Sequence, residues 1–374
     1  MKKITLALSL LMGLYMIGYG QNSKIHSEYV GEGEDQIEVV VVSGTPHQMG
    51  FELGKHLKDN AKETLGKYMN AAKEESKGMF GPEQLLQAWK TNEPFMDKRF
   101  IEEMEGFSEG SGIDLNLLKE AHIIPLVSPY SCSGVDAWGK ATKNGDLYQI
   151  RNLDYSIDAG LQSHPVVVVY KPTKGIAHAN VTFSGMLSSH TGINAQSIVL
   201  GEKGESPAKE MPYDLHGKHF TVLFRSILYD AKNLSDVEKM IEKSTLMKRY
   251  YLFVGDGKLK KGAAVKYLVT TPDSVRLHKW TDEDKTDNLV PKVYSDITYS
   301  TMNNEVACKF LDENYGHIGA PEMIKLSESV AVKHNLVDVV YDATSQEIWV
   351  ANATNSQRAA DRNYVHIDLK KYFK

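Results

Sequence analysis

The stretch that decides the reading is Tyr130-Ser131-Cys132-Ser133-Gly134-Val135-Asp136-Ala137-Trp138-Gly139-Lys140-Ala141-Thr142-Lys143-Asn144-Gly145-Asp146-Leu147-Tyr148-Gln149-Ile150-Arg151-Asn152-Leu153-Asp154-Tyr155. Cys132 and Ser133 are expected to open a strand. Lys143-Asn144-Gly145-Asp146 reads as a hairpin turn, and Leu147 to Arg151 as the returning strand. Such a hairpin brings Arg151 and Asp154 back to the cysteine. A guanidinium there favours the thiolate, and a carboxylate there can hold a protonated amine.

The chain on either side has two different characters. Before the cysteine it is helix-rich. Leu53, Leu57, Ala61, Leu65 and Tyr68 or Met69 recur at steps of three and four, which puts them on one helical face. Further helices are predicted at Pro82 to Lys90, Phe100 to Phe107 and Leu115 to His122, the last behind an Asp114 cap. Ile37 to Val42 is the one buried strand expected there, followed by a turn at Ser43 to Pro46. Pro125 to Ser133 then interrupts helical periodicity.

After it, strands dominate. They are expected at Leu147 to Arg151, Pro165 to Tyr170, Asn180 to Phe183, Ser197 to Leu200 and Tyr250 to Gly255. Two hairpins follow: Ala263 to Thr270 with Ser274 to Trp280 across Thr271-Pro272-Asp273, and Leu336 to Tyr341 with Glu347 to Ala351. Helices are predicted at about His219 to Ala231, from Ser235 with Glu238 completing a capping box, and at Glu305 to Asn314 and Pro321 to Val330. Strand runs with grouped helices argue for an α+β fold in layers rather than βαβ units. The sequence shows no internal repeat and no Gly/Ser linker that would separate domains.

The 374 residues, 42% hydrophobic and 24% charged, suit a folded protein with a large core. A net charge of −5 without a basic run gives no reason to expect nucleic acid. Lys2 and Lys3 precede an apolar stretch from Ile4 to Ile17 that ends in Gly18-Tyr19-Gly20-Gln21, the form of a secretory signal peptide over residues 1–20. The expectation is therefore a soluble periplasmic or secreted protein beginning near Gln21, with no stable membrane anchor. In an oxidising compartment, Cys132 and Cys308 would by default be one disulfide or two buried thiols. The Val306, Phe310, Leu311 pattern makes Cys308 a core residue.

Cys132, the hairpin and Arg151-Asn-x-Asp154 resemble the N-terminal nucleophile (Ntn) hydrolases of the choloylglycine hydrolase and penicillin V acylase type. They resemble still more the self-cleaving peptidase family C45 group with acyl-CoA:6-aminopenicillanic acid acyltransferase. Upstream, Gly44-Thr-Pro-His-Gln-Met-Gly50-Phe-Glu-Leu-Gly54 and Glu103-Met-Glu-Gly106-Phe-Ser-Glu-Gly110-Ser-Gly112-Ile-Asp114 resemble that group's propeptide region. Downstream, Thr191-Gly192-Ile193-Asn194 and Val339 to Val350 resemble its Gly-x-Asn segment and last hairpin. The likeness extends over most of the mature chain.

The resemblance implies a four-layer αββα sandwich. It implies self-cleavage between Ser131 and Cys132, giving a light chain of about 21–131 and a heavy chain of 132–374 that stay associated. It implies that Cys132 attacks an amide carbonyl with its own α-amine as base, and that Asp154 orients that amine. Arg151 would stabilise the thiolate or contact substrate. Asn194 would be an oxyanion donor, a role typically worth ~2.7–4 kcal/mol. The chain departs from the family where it offers Tyr251 before Asp256-Gly257, and where Thr301-Met302-Asn303-Asn304 replaces Thr-Asn-His. Tyr251 and Asn303 are the residues in those positions, and the resemblance makes them candidate oxyanion or substrate contacts.

The implied reaction cleaves a linear amide of an N-acyl amino acid, N-acyl amine or similar small-molecule conjugate, with acyl transfer as a second outcome and no cofactor or metal. A phospholipase-B-like or lipid amidase activity on the same scaffold is the alternative enzyme. A binding protein that has lost catalysis is the alternative from another class. His216-x-x-His219 lacks the His-Glu-x-x-His arrangement and reads as exposed loop histidines. No Gly-x-Ser-x-Gly is present. Trp138 and Tyr155 are expected in the core, or lining an acyl pocket.

Overall fold

The computed structural model describes residues 23–78, 81–127, 130–204, 214–259, 263–269, 277–280, 287 and 289–374. The signal segment expected over residues 1–20 and the turn expected at Thr271-Pro272-Asp273 lie outside them. No described helix is long and apolar enough to cross a membrane.

The strands are β1 (Lys24–Val30), β2 (Ile37–Gly44), β3 (Ser131–Ala137), β4 (Tyr148–Asp154), β5 (Pro165–Pro172), β6 (His178–Phe183), β7 (Gly192–Asn194), β8 (Ile198–Lys203), β9 (Tyr250–Asp256), β10 (Ala264–Val269), β11 (Leu277–Trp280), β12 (Ile297–Ser300), β13 (Asn335–Asp342), β14 (Glu347–Asn352) and β15 (Val365–Asp368). Among the described residues they form one sheet ordered β1-β2-β5-β6-β7-β8-β9-β10-β11 and a second ordered β12-β3-β4-β13-β14-β15. The helices are α1 (Pro46–Glu75), α2 (Pro82–Asn92), α3 (Lys98–Ser111), α4 (Leu115–Val127), α5 (Phe220–Asp230), α6 (Leu234–Glu242), α7 (Asn304–Asn314), α8 (Ala320–Val330) and the short α9 (Lys370–Phe373).

The layering follows from where side chains on alternate strand positions go. On β8, Gly201 faces Arg151 of the second sheet, so closely that a β-carbon there would lie 3.3 Å from the Arg151 side chain. On β3, Gly134 faces the Phe253 ring of the first sheet in the same way. Gly192, on the opposite face of the first sheet, lies against Leu228 of α5. The two sheets therefore pack on each other. Helices α1, α5 and α6 contact the strands of the first sheet, and α8 contacts β4 and β13 of the second with α7 beside it. This is the expected α+β, αββα arrangement.

The sequence-based elements recur, most with longer bounds, although α5 (Phe220–Asp230) falls inside the expected His219 to Ala231 and β4 begins at Tyr148 rather than Leu147. Strands β1, β7, β12 and β15 were not anticipated; all are short or lie at a sheet margin, where the hydrophobic pattern is weakest. The β3–β4 link is not a tight hairpin turn. Ala137 pairs with Tyr148, so ten residues connect the strands, including a 3-10 turn at Gly139–Ala141. Pro125 does not end helix α4, which runs through it. Leu118, Ala121, Ile123, Ile124 and Leu126 are all buried there, and burial on that scale outweighs the ~3 kcal/mol that an interior proline costs. The cap of α6 is Asn233, whose Oδ1 accepts from Asp236 N–H at 3.0 Å, and not Ser235.

The upstream glycines have a packing reason. Helices α1 and α3 cross with backbones in contact. A β-carbon at Gly50 would lie 2.0 Å from Glu103 O, one at Gly54 2.3 Å from Phe107 O, one at Gly106 2.1 Å from His47 O and one at Gly110 2.0 Å from Phe51 O. Glycine at i and i+4 on both helices is what allows this approach. Gly112, with φ +65°, ends α3 in the left-handed conformation that glycine adopts without strain.

Candidate active site

Cys132 sits on β3 opposite Leu153 of β4, and Ser131 sits opposite Asp154. Strand β3 lies between β12 and β4, but β12 pairs only with Gly134 to Ala137, so the Ser131-Cys132 peptide is laddered to β4 alone, at the start of the strand. The thiol is fully buried, and its sulfur lies 3.7 Å from Glu202 Oε2. Burial pushes the thiol well above its ordinary value. Arg151 and an N–H bond from Gly204 oppose that rise, while Glu202 and Asp154 reinforce it. In the intact chain Cys132 is therefore a neutral thiol beside a carboxylate.

Arg151 is also fully buried, with Nη2 3.9 Å from Glu202 Oε2. Its Nε, Nη1 and Nη2 have no hydrogen-bond partner among the described residues. A buried guanidinium with all its donors unspent is a ready receptor for developing negative charge. Asp154 accepts from Asn335 Nδ2 at 3.3 Å through Oδ1, while its Oδ2 is buried without a partner among the described residues. Burial raises its pKa to about 7, against the pull of Asn335 and Arg151. Asn335 also donates to Asp338 Oδ1 at 2.6 Å, so a single amide bridges two buried carboxyl groups. Burial, with Asp154 adding to it, raises Asp338 to about 8 despite the Asn335 bond.

The structure thus brings together Ser131, Cys132, Arg151 and Asp154. It does not bring Asn194 into this group. Both Asn194 amide hydrogens go to backbone carbonyls, Leu228 O at 3.2 Å and Ala231 O at 2.8 Å, and Oδ1 accepts from Gln196 N and Ile198 N. The residue fixes the end of α5 to the β7–β8 turn and has no N–H left for an oxyanion. Asn303 is exposed and caps α7, accepting from Val306 N at 3.3 Å. Its neighbour Met302 donates its backbone N–H to Ser133 Oγ at 3.0 Å, so the segment does touch the strand of the cysteine. Tyr251 is buried on β9 opposite Lys203, whose ammonium lies 5.7 Å from the ring centre.

Glu202 is the site residue that sequence reasoning missed. It accepts the Tyr130 hydroxyl at 2.9 Å as well as facing the thiol. The signal was a carboxylate directly continuing the apolar run Ile198-Val199-Leu200-Gly201, a position where an unpaired charge is not tolerated.

Beside the cysteine is an apolar pocket with about 560 Å³ of empty space, part of it open to solvent. Leu153, Tyr155, Phe183, Met186 and Phe220 line it, together with Tyr130, two residues before Cys132. Tyr155 is thus a lining residue, whereas Trp138 is fully buried. Both cysteines are free, and Cys308 is only half-buried, with its sulfur 3.2 Å from the Tyr294 hydroxyl. Of the histidine pair, His216 is exposed but His219 is fully buried as the cap of α5. No metal-ligating group of three side chains occurs among the described residues.

No family model matches the chain. Among curated proteins it is 25% identical over 367 residues to Protein dcd1B of Dictyostelium discoideum, covering 90% of this chain and 71% of that one. It is 24% identical over 402 residues to Protein dcd1A of the same organism, covering 92% and 87%. Similar solved structures include a Caenorhabditis elegans N-acylethanolamine-hydrolyzing acid amidase ortholog, with a TM-score of 0.43 at 14% identity over 57% of this chain and 93% of that one. Penicillin V acylase from Agrobacterium tumefaciens aligns with a TM-score of 0.43 at 12% identity over 64% and 87%. Conjugated bile acid hydrolase from Clostridium perfringens aligns with a TM-score of 0.44 at 10% identity over 64% and 93%.

Proposed function

We propose that this chain is an exported, self-cleaving cysteine amidase of the Ntn type, acting on the linear amide of an N-acyl amino acid, N-acyl amine or similar conjugate. The observation that carries the reading is the buried cluster of Cys132, Arg151, Asp154 and Glu202 at the start of β3. A thiol, a carboxylate base, a guanidinium whose hydrogen-bond donors lack partners among the described residues and a carboxyl for an amine are the parts that such chemistry needs. The motif resemblance around Cys132 supports the same assignment, and the Lys2 to Gln21 segment supports export.

In maturation, Glu202 takes the Cys132 proton, Sγ adds to the Ser131 carbonyl carbon, and the Ser131-Cys132 C–N bond breaks as the departing nitrogen takes up that proton. Arg151 stabilises the oxyanion that forms on the way. Water then hydrolyses the thioester, returning the thiol and leaving a carboxylate on Ser131. The new α-ammonium of Cys132 forms one ladder position from Asp154, whose Oδ2 lacks a partner among the described residues and is free to take it. In turnover the α-ammonium passes a proton to Asp154, and the resulting α-amine deprotonates the thiol, which attacks the substrate carbonyl. The amine product leaves, and water or a second amine accepts the acyl group from the thioester. The acyl chain occupies the apolar pocket beside Leu153.

The test is the intact mass and N-terminal sequence of protein expressed with its export signal, beside Cys132→Ala. Two chains, one starting at Cys132 and absent from the variant, are expected, with thioester accumulation on an amide substrate. A single uncleaved chain with an inert thiol in the wild type would transfer the assignment to a binding protein.

A further inference from the structure

The pocket beside Cys132 is mostly apolar, and besides the hydroxyls of Thr182, Ser188 and Thr221 and its tyrosines it is lined by two imidazoles. His219 lines it and is fully buried. Its Nδ1 accepts the Thr221 backbone N–H at 3.4 Å as the cap of α5 and lies 3.0 Å from the Thr221 hydroxyl. An Nδ1 that accepts leaves the ring proton on Nε2. That Nε2 is buried and has no hydrogen-bond partner among the described residues. Burial, with Lys248 adding to it, pushes the ring well below the ordinary histidine range, so it is neutral at physiological pH and presents one N–H. His190 lines the same pocket, with its ring stacked on Phe183 at 6.0 Å between centres. Its Nε2 is also out of solvent without a partner among the described residues.

An unsatisfied buried donor costs about 1–3 kcal/mol, and among the described residues nothing hydrogen-bonds to either of these nitrogens. His122 shows the contrast. It is buried nearby on α4 with both nitrogens engaged, by Leu118 O at 2.8 Å and Leu187 N–H at 2.8 Å. The cap of α5 does not require an imidazole either, since asparagine, aspartate or serine would serve that position better. What an imidazole adds over a shorter cap is reach, with a second ring nitrogen beyond the one that caps the helix.

We propose that His219, with His190 lining the same pocket, selects an acyl group that is hydrocarbon apart from one oxygen acceptor, such as a hydroxyl, held by the His219 Nε2–H. The inference rests on the amidase reading for the identity of the pocket's occupant, but its test separates the two. Binding is measured by calorimetry on the purified mature wild type, using as probes saturated fatty acids of matched length. One is unsubstituted and the others carry a single hydroxyl at successive positions. Hydrolysis of the corresponding N-acyl amides is followed in parallel.

One positional isomer is expected to bind about tenfold more tightly than the plain acid, the size of one buried hydrogen bond. That advantage should vanish in His219→Asn, which retains the helix cap but is shorter than the imidazole; the readout is the ratio of hydroxy-acid to plain-acid affinity within each variant, which a general loss of packing does not move. His190→Phe should reduce the same preference without removing it. Equal affinity for all isomers, or a preference that survives in His219→Asn, would overturn the inference whatever the amides do. Hydroxyl-selective binding without cleavage of any amide would retain it and overturn the amidase reading.

Discussion

At the scale of single residues, the site turns on the 3.7 Å between the Cys132 sulfur and Glu202 Oε2. A neutral buried thiol does not attack a peptide carbonyl unaided, so in the proposed maturation the carboxylate beside it sets the rate of self-cleavage. Glu202→Gln keeps the shape and the Tyr130 contact but removes the base. It is expected to slow appearance of the Cys132 N-terminus by about 10²–10⁴-fold, read by mass against time after expression. Cleavage at the wild-type rate would assign the proton transfer elsewhere. Arg151→Lys is expected to fold and still lose most of the activity, because an ammonium does not reproduce a planar guanidinium with several donors. Near-normal turnover of amide substrate by that variant would remove Arg151 from the oxyanion role.

At the scale of elements, two features carry predictions. The α1–α3 crossing has no room for a β-carbon at Gly106, which would lie 2.1 Å from His47 O. Gly106→Ala is expected to cost about 1–3 kcal/mol and lower the thermal midpoint by several degrees, despite alanine's better helix propensity. A stabilised variant would mean that the helices separate without penalty. The second feature is the carboxyl pair of β4 and β13, Asp154 and Asp338, bridged by Asn335. Both have folded pKa values raised from 3.8, to about 7 and about 8, chiefly by burial. The folded chain then holds protons that the unfolded chain releases. Their contribution is greatest below the unfolded value and is lost as pH rises through the folded values. Asp338→Asn, which imitates the protonated acid, should therefore show a smaller fall in thermal midpoint from about pH 4 to pH 8 than the wild type. Parallel pH profiles would show that Asp338 ionises normally.

At the scale of the whole molecule, the Ser131-Cys132 bond lies between segments that share one sheet. Residues 23–131 supply β1 and β2, and β2 runs parallel to β5 from Glu38 opposite Val166 to Gly44 opposite Pro172. Both cysteines are free, so no disulfide joins the two sides. After cleavage the chains are expected to elute together in native size-exclusion chromatography and to separate under denaturing, non-reducing conditions. Separation of the native chains would contradict the integrated sheet.

Much of this was legible in the sequence. The apolar spacing from Leu53 to Tyr68 determined a long helix with one buried face, and the β-branched runs determined most of the strands. Local rules were sufficient because helix and strand periods are set by the backbone itself. Cys132, Arg151 and Asp154 could be grouped because they lie on adjacent antiparallel strands only a short connection apart. The glycines of α1 and α3 were visible as a pattern but not as a contact, since the contact joins residues about fifty positions apart. What only the tertiary structure decided came from elements distant in the chain. Glu202 reaches the thiol because β8 of one sheet packs on β3 of the other. Asn194 leaves the site because the end of α5 takes both its amide hydrogens. His219 faces a pocket because α5 begins there, and not in the exposed loop that its spacing from His216 suggested. A sequence records which groups are present and how each short segment repeats, whereas sheet-on-sheet and helix-on-sheet packing determines which of those groups meet.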